Sequence, residues 1–166
     1  LLNKIGFHKF KDEKKFNPDK INFYSIESTK KICDLDISYF NSKDCKYTTL
    51  KRSDLINFLN KDVKDLIKHS HSISQIEHEN HKIKLTFENS ETLECDYLII
   101  SDGVFSKSKN LISNYQVKPR YNNTLAIRGM IPCSSEIDCK NISLFLGSDF
   151  HYVIYPVNQN GDLNFI

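Results

Sequence analysis

The segment ECDYLIISDGVFSKSK, residues 94–109, decides the fold that the sequence predicts. An apolar run at 97–100 ends abruptly at Ser101-Asp102-Gly103, and a polar segment that carries lysines follows. An unbroken apolar strand is typical of a position inside a sheet that is covered on both faces. In open α/β sheets, ligands bind beyond the carboxyl ends of such strands. A glycine there permits a tight turn that a Cβ would obstruct. The segment therefore predicts a buried strand that ends at a ligand-binding turn.

The composition is that of a globular protein. Of 166 residues, 39% are hydrophobic and 27% are charged, with a formal net charge of +2. This apolar content is too high for a disordered chain. Basic and acidic residues alternate and form no one-signed block, which argues against a nucleic-acid partner. No apolar run approaches the ~20 residues that span a bilayer, so we expect no transmembrane segment, and peripheral membrane association stays open.

Five cysteines stand at positions 33, 45, 95, 133 and 139. The count is odd and no C-x-x-C pair occurs, which suits a reducing compartment where cysteines act as small apolar residues. We therefore expect a cytoplasmic protein with reduced cysteines. The histidines at 69, 71, 78 and 81 have no cysteine among them, and the pair Cys133 and Cys139 flanks an acidic loop. Neither group has the local spacing of a zinc site, so we expect no metal.

Hydrophobic periodicity predicts a mixture of helices and strands. Leu55, Leu59 and Val63 fall on one stripe of a helix for which Ser53 is the expected N-cap. Residues 1–10 read as the end of a helix with Gly6 as its C-cap. Alternation and short apolar runs predict the strands. The predicted strands are 21–26, 31–37, 47–50, 83–87, 93–100, 124–131, 143–146, 151–157 and 163–166, and a short helix is predicted at 106–115. The first two strands are expected to pair as a hairpin, and the last four are expected to form a meander. Antiparallel segments thus alternate with α/β segments, which suggests two interleaved structural units.

Several segments, in the correct order, resemble the FAD-dependent aromatic hydroxylases. These are the single-component flavoprotein monooxygenases typified by para-hydroxybenzoate and salicylate hydroxylases, with ubiquinone-biosynthesis hydroxylases as relatives. CDYLIISDGVFSKSK is similar to the family's D-G-x-x-S-x-x-R motif: Asp102, Gly103 and Ser106 match it, and Lys109 stands where the family has arginine. YTTLKRSDLINFL is similar to its Arg-x-x-Leu helix start, with Arg52 as the arginine. LAIRGMIP and LFLGSDFHYVIYPVNQNGDLNFI look like its substrate-domain strands.

The resemblance covers nearly the whole chain and implies an α/β (α+β mixed) fold. A partial, three-layer FAD-binding domain at 1–17 and 47–116 would be interleaved with a mostly antiparallel substrate-domain β-sheet at 18–46 and 117–166. The implied reaction hydroxylates an aromatic or quinone-precursor compound with NAD(P)H and O2. The implied cofactor is FAD, and the implied partner is a small aromatic substrate.

The resemblance also implies roles for individual residues. Arg52 would contact the FAD pyrophosphate, which suits a forked and permanently charged donor. Asp102, with Gly103 and Ser106, would hold the ribityl or phosphate region, and Lys109 would supply charge without the fork of arginine. The candidates for substrate contact are Arg128, His151, Tyr152 and Tyr155. No catalytic side chain is expected, because in this chemistry the flavin performs the difficult step.

Two features of the family are missing from this sequence. None of its five glycines forms G-x-G-x-x-G, and no Gly-Asp motif follows the substrate strands, so we expect an internal piece of a longer enzyme that is inactive alone. Two alternatives stay open. One is another flavin enzyme of the same fold, such as an epoxidase or a reductase. The other is a non-catalytic α/β binding module that happens to resemble the family.

Overall fold

The computed structural model describes residues 2–42, 46–112 and 118–166. In chain order the strands are β1 (Lys15–Phe16), β2 (Lys20–Ser25), β3 (Lys31–Asp36), β4 (Thr49–Leu50), β5 (Ile73–Glu79), β6 (Lys82–Phe87), β7 (Thr92–Cys95), β8 (Gly129–Pro132), β9 (Ile142–Leu146), β10 (His151–Pro156) and β11 (Asp162–Phe165). The α-helices are α1 (Ser38–Asn41), α2 (Arg52–Asn60) and α3 (Ser108–Ile112). Short 3-10 turns lie at Leu2–Ile5, Phe7–Lys9, Asp12–Lys14 and Lys64–Leu66.

The chain divides into two compact units, which are described separately. The first comprises residues 1–62 and 125–166, and the second comprises residues 63–124. These limits differ from the boundaries predicted from the sequence, since residues 47–62 lie with the large sheet of the first unit. The predicted division into flavin-binding and substrate-binding segments therefore stays a prediction.

A six-stranded sheet organises the first unit. Its strand order is β3-β2-β9-β10-β11-β8; β2 and β9 run parallel, and every other neighbouring pair is antiparallel. The predicted hairpin of the strands at 21–26 and 31–37 is confirmed, and so is the meander for its last three strands, β9, β10 and β11. The first strand of the predicted meander, β8, does not lie beside β9 but pairs with β11 at the sheet edge. The core of this unit lies at one end of the sheet, where Leu163 and Val157 are 0% and 1% exposed. Ile154, Pro156 and Pro18 are buried beside them.

A row of aromatic rings crosses one face of this sheet. Tyr24 stacks on Phe145 with ring centroids 5.0 Å apart, and Tyr152 lies 6.0 Å from both Phe145 and Phe165. The row ends over β8, because Phe165 is paired with Gly129 and its ring occupies the space of the missing side chain. A Cβ on Gly129 would lie 2.4 Å from Cζ of Phe165. The ring and the glycine therefore require each other.

Helix α2 begins two residues earlier than the sequence predicts. The expected N-cap Ser53 is its second residue, and Lys51 occupies the N-cap position with extended backbone. The carbonyl of Lys51 accepts the first helical hydrogen bond, from the amide of Leu55 at 3.1 Å. Strand β4 keeps the chain extended up to Leu50, and the helix starts directly after the intervening Lys51. The N-terminal segment is not a regular helix either: Gly6, with φ of 86°, separates two 3-10 turns.

The second unit is a three-stranded antiparallel sheet in the order β5-β6-β7, with α3 near β5. Leu85, in the middle strand, is its buried centre and pairs with Ile76 and Leu93. The tight turn between β5 and β6 places Asn80 and His81 at φ of 47° and 65°. Helix α3 confirms part of the predicted helix at 106–115, whose last three residues lie outside the described ones.

The prediction of a buried strand at residues 97–100 is wrong. Strand β7 ends at Cys95, and Tyr97 and Ile99 are 89% and 90% exposed. Within the part of the chain that the structure describes, no strand pairs with residues 97–100, and Leu98 and Ile100 are only partly buried. The strand predicted at 124–131 is likewise shorter, since β8 covers Gly129–Pro132 alone.

The expectation of reduced cysteines is also wrong for one pair. Cys133 and Cys139 form a disulfide across a short loop, with their Cα atoms 5.9 Å apart. That separation lies within the range that a disulfide bridges without backbone movement. The cysteine pattern therefore no longer supports a cytoplasmic location. Among the described residues, no helix is long and apolar enough to cross a membrane.

Replacing Gly129 should test the fit between the aromatic row and β8. Gly129→Ala is expected to lower the free energy of unfolding by about 1–3 kcal/mol, because the new methyl group overlaps the Phe165 ring. Denaturant unfolding of wild type, Gly129→Ala, Phe165→Leu and the double variant measures the coupling between the two sites. Additive effects of the two substitutions would show that the ring does not depend on the glycine.

His71 provides a pH test in the second unit. Its Nδ1 lies 2.6 Å from the carbonyl oxygen of His69 and its Nε2 lies 3.0 Å from Glu91. These two acceptors, the carbonyl first, raise the pKa of His71 above 6.5. Because the folded pKa is raised, the stabilisation by protonated His71 is fully present below pH 6.5 and is lost as the pH rises through the folded pKa.

An NMR titration should therefore place the His71 pKa above 6.5 in the wild type and closer to that value in Glu91→Gln. Glu88→Gln serves as the matched control, since Glu88 pairs with Lys107 instead. An equal shift of the His71 pKa in both variants would contradict the assignment to Glu91.

Candidate functional site

The Asp102-Gly103 turn keeps the local geometry that the sequence predicts. Gly103 has φ of 85°, a backbone conformation that residues with a Cβ rarely adopt. Its carbonyl oxygen accepts a hydrogen bond from the amide of Ser106 at 3.1 Å, which closes the turn. A Cβ on Gly103 would meet no atom within 4 Å. The turn is therefore open on this side, and its backbone is accessible to a ligand.

Asp102 is the acceptor around which this turn is built. Its carboxylate accepts hydrogen bonds from the Ser106 side chain and from the amide of Ser108, the latter at 3.4 Å. The Ser106 hydrogen bond is the main reason that the pKa of Asp102 lies below 3.8. Asp102 is thus ionised in neutral solution, and its orientation is fixed by two buried serines.

Ser106 connects the carboxylate to the following helix. Its Oγ accepts a hydrogen bond from the amide of Lys109 at 3.1 Å, and the same hydroxyl group lowers the pKa of Asp102 by hydrogen bonding to its carboxylate. The Lys109 ammonium donates to the carbonyl oxygen of Val104 at 3.0 Å. The four residues predicted from the Asp-Gly motif, Asp102, Gly103, Ser106 and Lys109, are therefore brought together in one hydrogen-bonded turn.

Arg52 belongs to the other unit and is the first residue of α2. Its side chain is exposed, and among residues 2–42, 46–112 and 118–166 it has no hydrogen-bond or ion-pair partner. The residues around it are engaged: the Lys51 ammonium pairs with Asp162 at 2.5 Å, and Asp54 accepts from Lys14 at 2.8 Å. Arg52 thus presents a free guanidinium from an anchored helix start.

Strand β10 separates the predicted substrate residues into two faces. Tyr152 lies within the aromatic row described above, where its ring packs against Phe145 and Phe165. His151 and Tyr155 point to the opposite face, because side chains alternate along a strand. Tyr155 is paired there with Asn164 of β11. Arg128 is exposed immediately before β8.

Sequence reasoning missed three residues that shape these sites. Ser108 supplies the amide that binds Asp102, and its place two residues after Ser106 gave no signal. Lys51 and Asp162 form an ion pair between segments far apart in the sequence, so no local pattern reveals it. Within the described ranges, no cluster of three or more His, Cys, Asp or Glu side chains has the geometry of a metal site.

Comparisons with known proteins identify the fold. No model of a known protein family matches the chain. A curated protein from Monascus ruber, the FAD-dependent monooxygenase pigN, is 32% identical over 94 residues, which cover 51% of this chain and 22% of that protein. The structure of HpxO from Klebsiella pneumoniae, complexed with FAD and uric acid, matches 99% of this chain with a TM-score of 0.83 at 14% identity. A salicylate hydroxylase in complex with its substrate matches 99% of it with a TM-score of 0.76 at 17% identity.

The chain therefore has the fold of the FAD-dependent hydroxylases, and the resemblance and the mixed α/β fold class predicted from the sequence are confirmed. It spans 22% of the length of the curated relative, 43% of HpxO and 45% of the salicylate hydroxylase. The site residues carried over from the motifs are not tested by these comparisons and stay predictions.

The Asp102 turn leads to a spectroscopic prediction. Ser106→Ala removes the hydrogen bond that contributes most to the lowered pKa of Asp102, so the pKa should rise toward 3.8. A carbon-detected NMR titration of the Asp102 carboxyl measures the change. Because the folded pKa is lowered, the stabilisation that Asp102 contributes is present above pH 3.8 and is lost as the pH falls through the folded pKa.

Ser101→Ala is the matched control, since it removes an adjacent hydroxyl that has no hydrogen bond to Asp102 among the described contacts. An unchanged Asp102 pKa in Ser106→Ala would show that the hydroxyl does not donate to the carboxylate.

Proposed function

We propose that this chain is part of an FAD-dependent monooxygenase that hydroxylates an aromatic or quinone-precursor compound with NAD(P)H and O2. The observation that carries the proposal is the similarity to a FAD-dependent monooxygenase over 94 residues, combined with a hydroxylase fold over 99% of the chain. Other proteins of this fold bind small planar compounds: the HpxO structure contains uric acid, and the salicylate hydroxylase is in complex with its substrate.

The residues of the chain fit an FAD molecule in two respects. The exposed guanidinium of Arg52 has the charge and the fork that a pyrophosphate requires. Around Gly103, open space beside the positive-φ turn lets the backbone approach a ligand closely. We therefore assign Arg52 to the pyrophosphate and Asp102, Gly103 and Ser106 to the ribityl or phosphate region, with Lys109 as an accessory charge. When bound, FAD would supply the transfer of electrons from NAD(P)H to O2.

This chain's own residues would bind and orient the cofactor. Asp102 is held ionised, so it acts as a hydrogen-bond acceptor for hydroxyl groups and does not donate a proton. On the sheet, we propose that His151 and Tyr155 contact the substrate, with Arg128 beside them. The packing of Tyr152 within the aromatic row favours a structural role for that residue. The flavin domain is assigned to 1–17 and 47–116, and the substrate domain to 18–46 and 117–166.

Cofactor binding by the full-length protein that contains this chain tests the proposal. Titration of the apoprotein with FAD, followed by the quenching of flavin fluorescence, gives the dissociation constant. Arg52→Ala should raise that constant about tenfold, the effect expected for losing a hydrogen-bonded charge. Arg120→Ala, which removes another exposed arginine, should leave it unchanged. Absence of FAD binding by the wild-type protein would favour the non-catalytic binding module.

Oxygen incorporation distinguishes the proposed reaction from the other flavin enzymes. With candidate aromatic substrates and ¹⁸O-labelled O2, a hydroxylase gives a product that carries one labelled hydroxyl group. An epoxidase gives labelled product in which an alkene is lost, and a reductase oxidises NAD(P)H without labelling its product. Either of these results would replace the hydroxylase assignment.

A further inference from the structure

Asp162 is fixed in position by its own strand and by the turn that precedes it. Its carbonyl oxygen accepts from the amide of Val157 at 3.0 Å, and its backbone pairs with Pro132 of β8. Asn158, which is 5% exposed, donates from its side-chain amide to Oδ2 of Asp162 at 2.7 Å. The side-chain Oδ1 of Asn158 accepts a hydrogen bond from the backbone amide of Asp162 in return, at 3.1 Å. The carboxylate therefore has one defined orientation.

That carboxylate reaches from the large sheet to the residue immediately before α2. Oδ2 of Asp162 lies 2.5 Å from Nζ of Lys51, and both side chains are about half-buried. Lys51 is the N-cap residue of α2, and its carbonyl accepts the first helical hydrogen bond. Because Arg52 follows Lys51 directly, the ion pair fixes the chain immediately before the exposed guanidinium.

One further contact joins the same parts of the molecule, and another connects the turn between β10 and β11 to the N-terminal segment. Thr49 donates its hydroxyl hydrogen to the carbonyl oxygen of Pro156, at the end of β10. Gln159, in the turn between β10 and β11, donates a hydrogen bond from its backbone amide to the carbonyl oxygen of Glu13 at 3.1 Å. The backbone on the N-terminal side of Arg52 is thus held at Thr49 and at Lys51, and the lysine contact is the one adjacent to the arginine.

We propose that Asp162 is a positioning residue for cofactor binding: through Lys51 it holds the start of α2 so that the Arg52 guanidinium is directed at the FAD pyrophosphate. The inference rests on the role proposed above for Arg52. Asp162 does not touch the cofactor in this account. Without the Asp162 carboxylate, Arg52 would still be present, but its side chain would be free to adopt orientations that do not meet the phosphates. Ordering that side chain when FAD binds would then cost affinity.

Electrostatics alone predicts the opposite effect. Asp162 is a negative charge near the proposed binding region of a dianionic pyrophosphate, so neutralising it should strengthen FAD binding if charge is what matters. Positioning predicts weaker binding. The sign of the change in the dissociation constant therefore separates the two explanations.

The experiment measures FAD dissociation constants of the full-length apoprotein in a double-mutant cycle of Asp162→Asn and Arg52→Ala. Asp162→Asn is expected to raise the constant about threefold when Arg52 is present, a change typical of a half-exposed ion pair. In the Arg52→Ala background it should have no further effect, because nothing is left to position. Exchange of the partners, Lys51→Asp with Asp162→Lys, should restore part of the affinity.

Asp34→Asn is the matched control, since Asp34 pairs with Lys20 and Lys31 at the sheet edge formed by β3. It should leave the constant unchanged. An equal increase from Asp162→Asn with and without Arg52 would overturn the positioning role, as would a decrease in the constant. A wild-type constant for Arg52→Ala would instead overturn the proposed role of Arg52, so the two failures are distinguishable.

Discussion

The parallel pairing of β2 with β9 is the constraint on which the first unit depends. It places Ile21 opposite Ile142 and Tyr24 opposite Phe145, and so joins an early hairpin to a late meander. Two side-chain contacts fix its register: Asn22, which is buried, donates to Asp138 at 3.0 Å, and the amide of Lys20 donates to Asn141 at 3.1 Å. Strand β2 belongs to the hairpin and β9 to the meander, so their pairing joins these two segments. The order of the strands on either side of the β2–β9 pair follows from it.

The register of this sheet has two consequences for the proposed function. On one face it aligns four rings from four adjacent strands, Tyr24, Phe145, Tyr152 and Phe165, which leaves the opposite face of β10 to His151 and Tyr155. At the end of the sheet, the turn between β10 and β11 presents Asp162 to Lys51. In this chain, the Lys51–Asp162 ion pair thus connects the large sheet to the start of α2, where the candidate cofactor residue Arg52 lies.

The second unit shows a different relation between sequence and site. The Asp-Gly motif predicts a turn, and the turn forms from hydrogen bonds within a few residues of Asp102. Its geometry needs no distant partner. The apolar run before it does need partners, since a strand buries its side chains only when other elements cover both faces. This is why the turn forms as predicted while Tyr97 and Ile99 are exposed in the described part of the chain.

The sequence by itself determined what depends on local interactions and on ordered motifs. It predicted the β2–β3 hairpin, the meander from β9 to β11, helix α2 and the Asp102 turn, because alternation, helical spacing and turn residues act over a few positions. Tertiary structure alone decided the parallel β2–β9 pairing, the Cys133–Cys139 disulfide and the Lys51–Asp162 ion pair. The pairing and the ion pair join residues that are far apart in the chain, and the disulfide depends on the path of a loop. Spacing in the sequence carries no information about such distances, which packing alone sets.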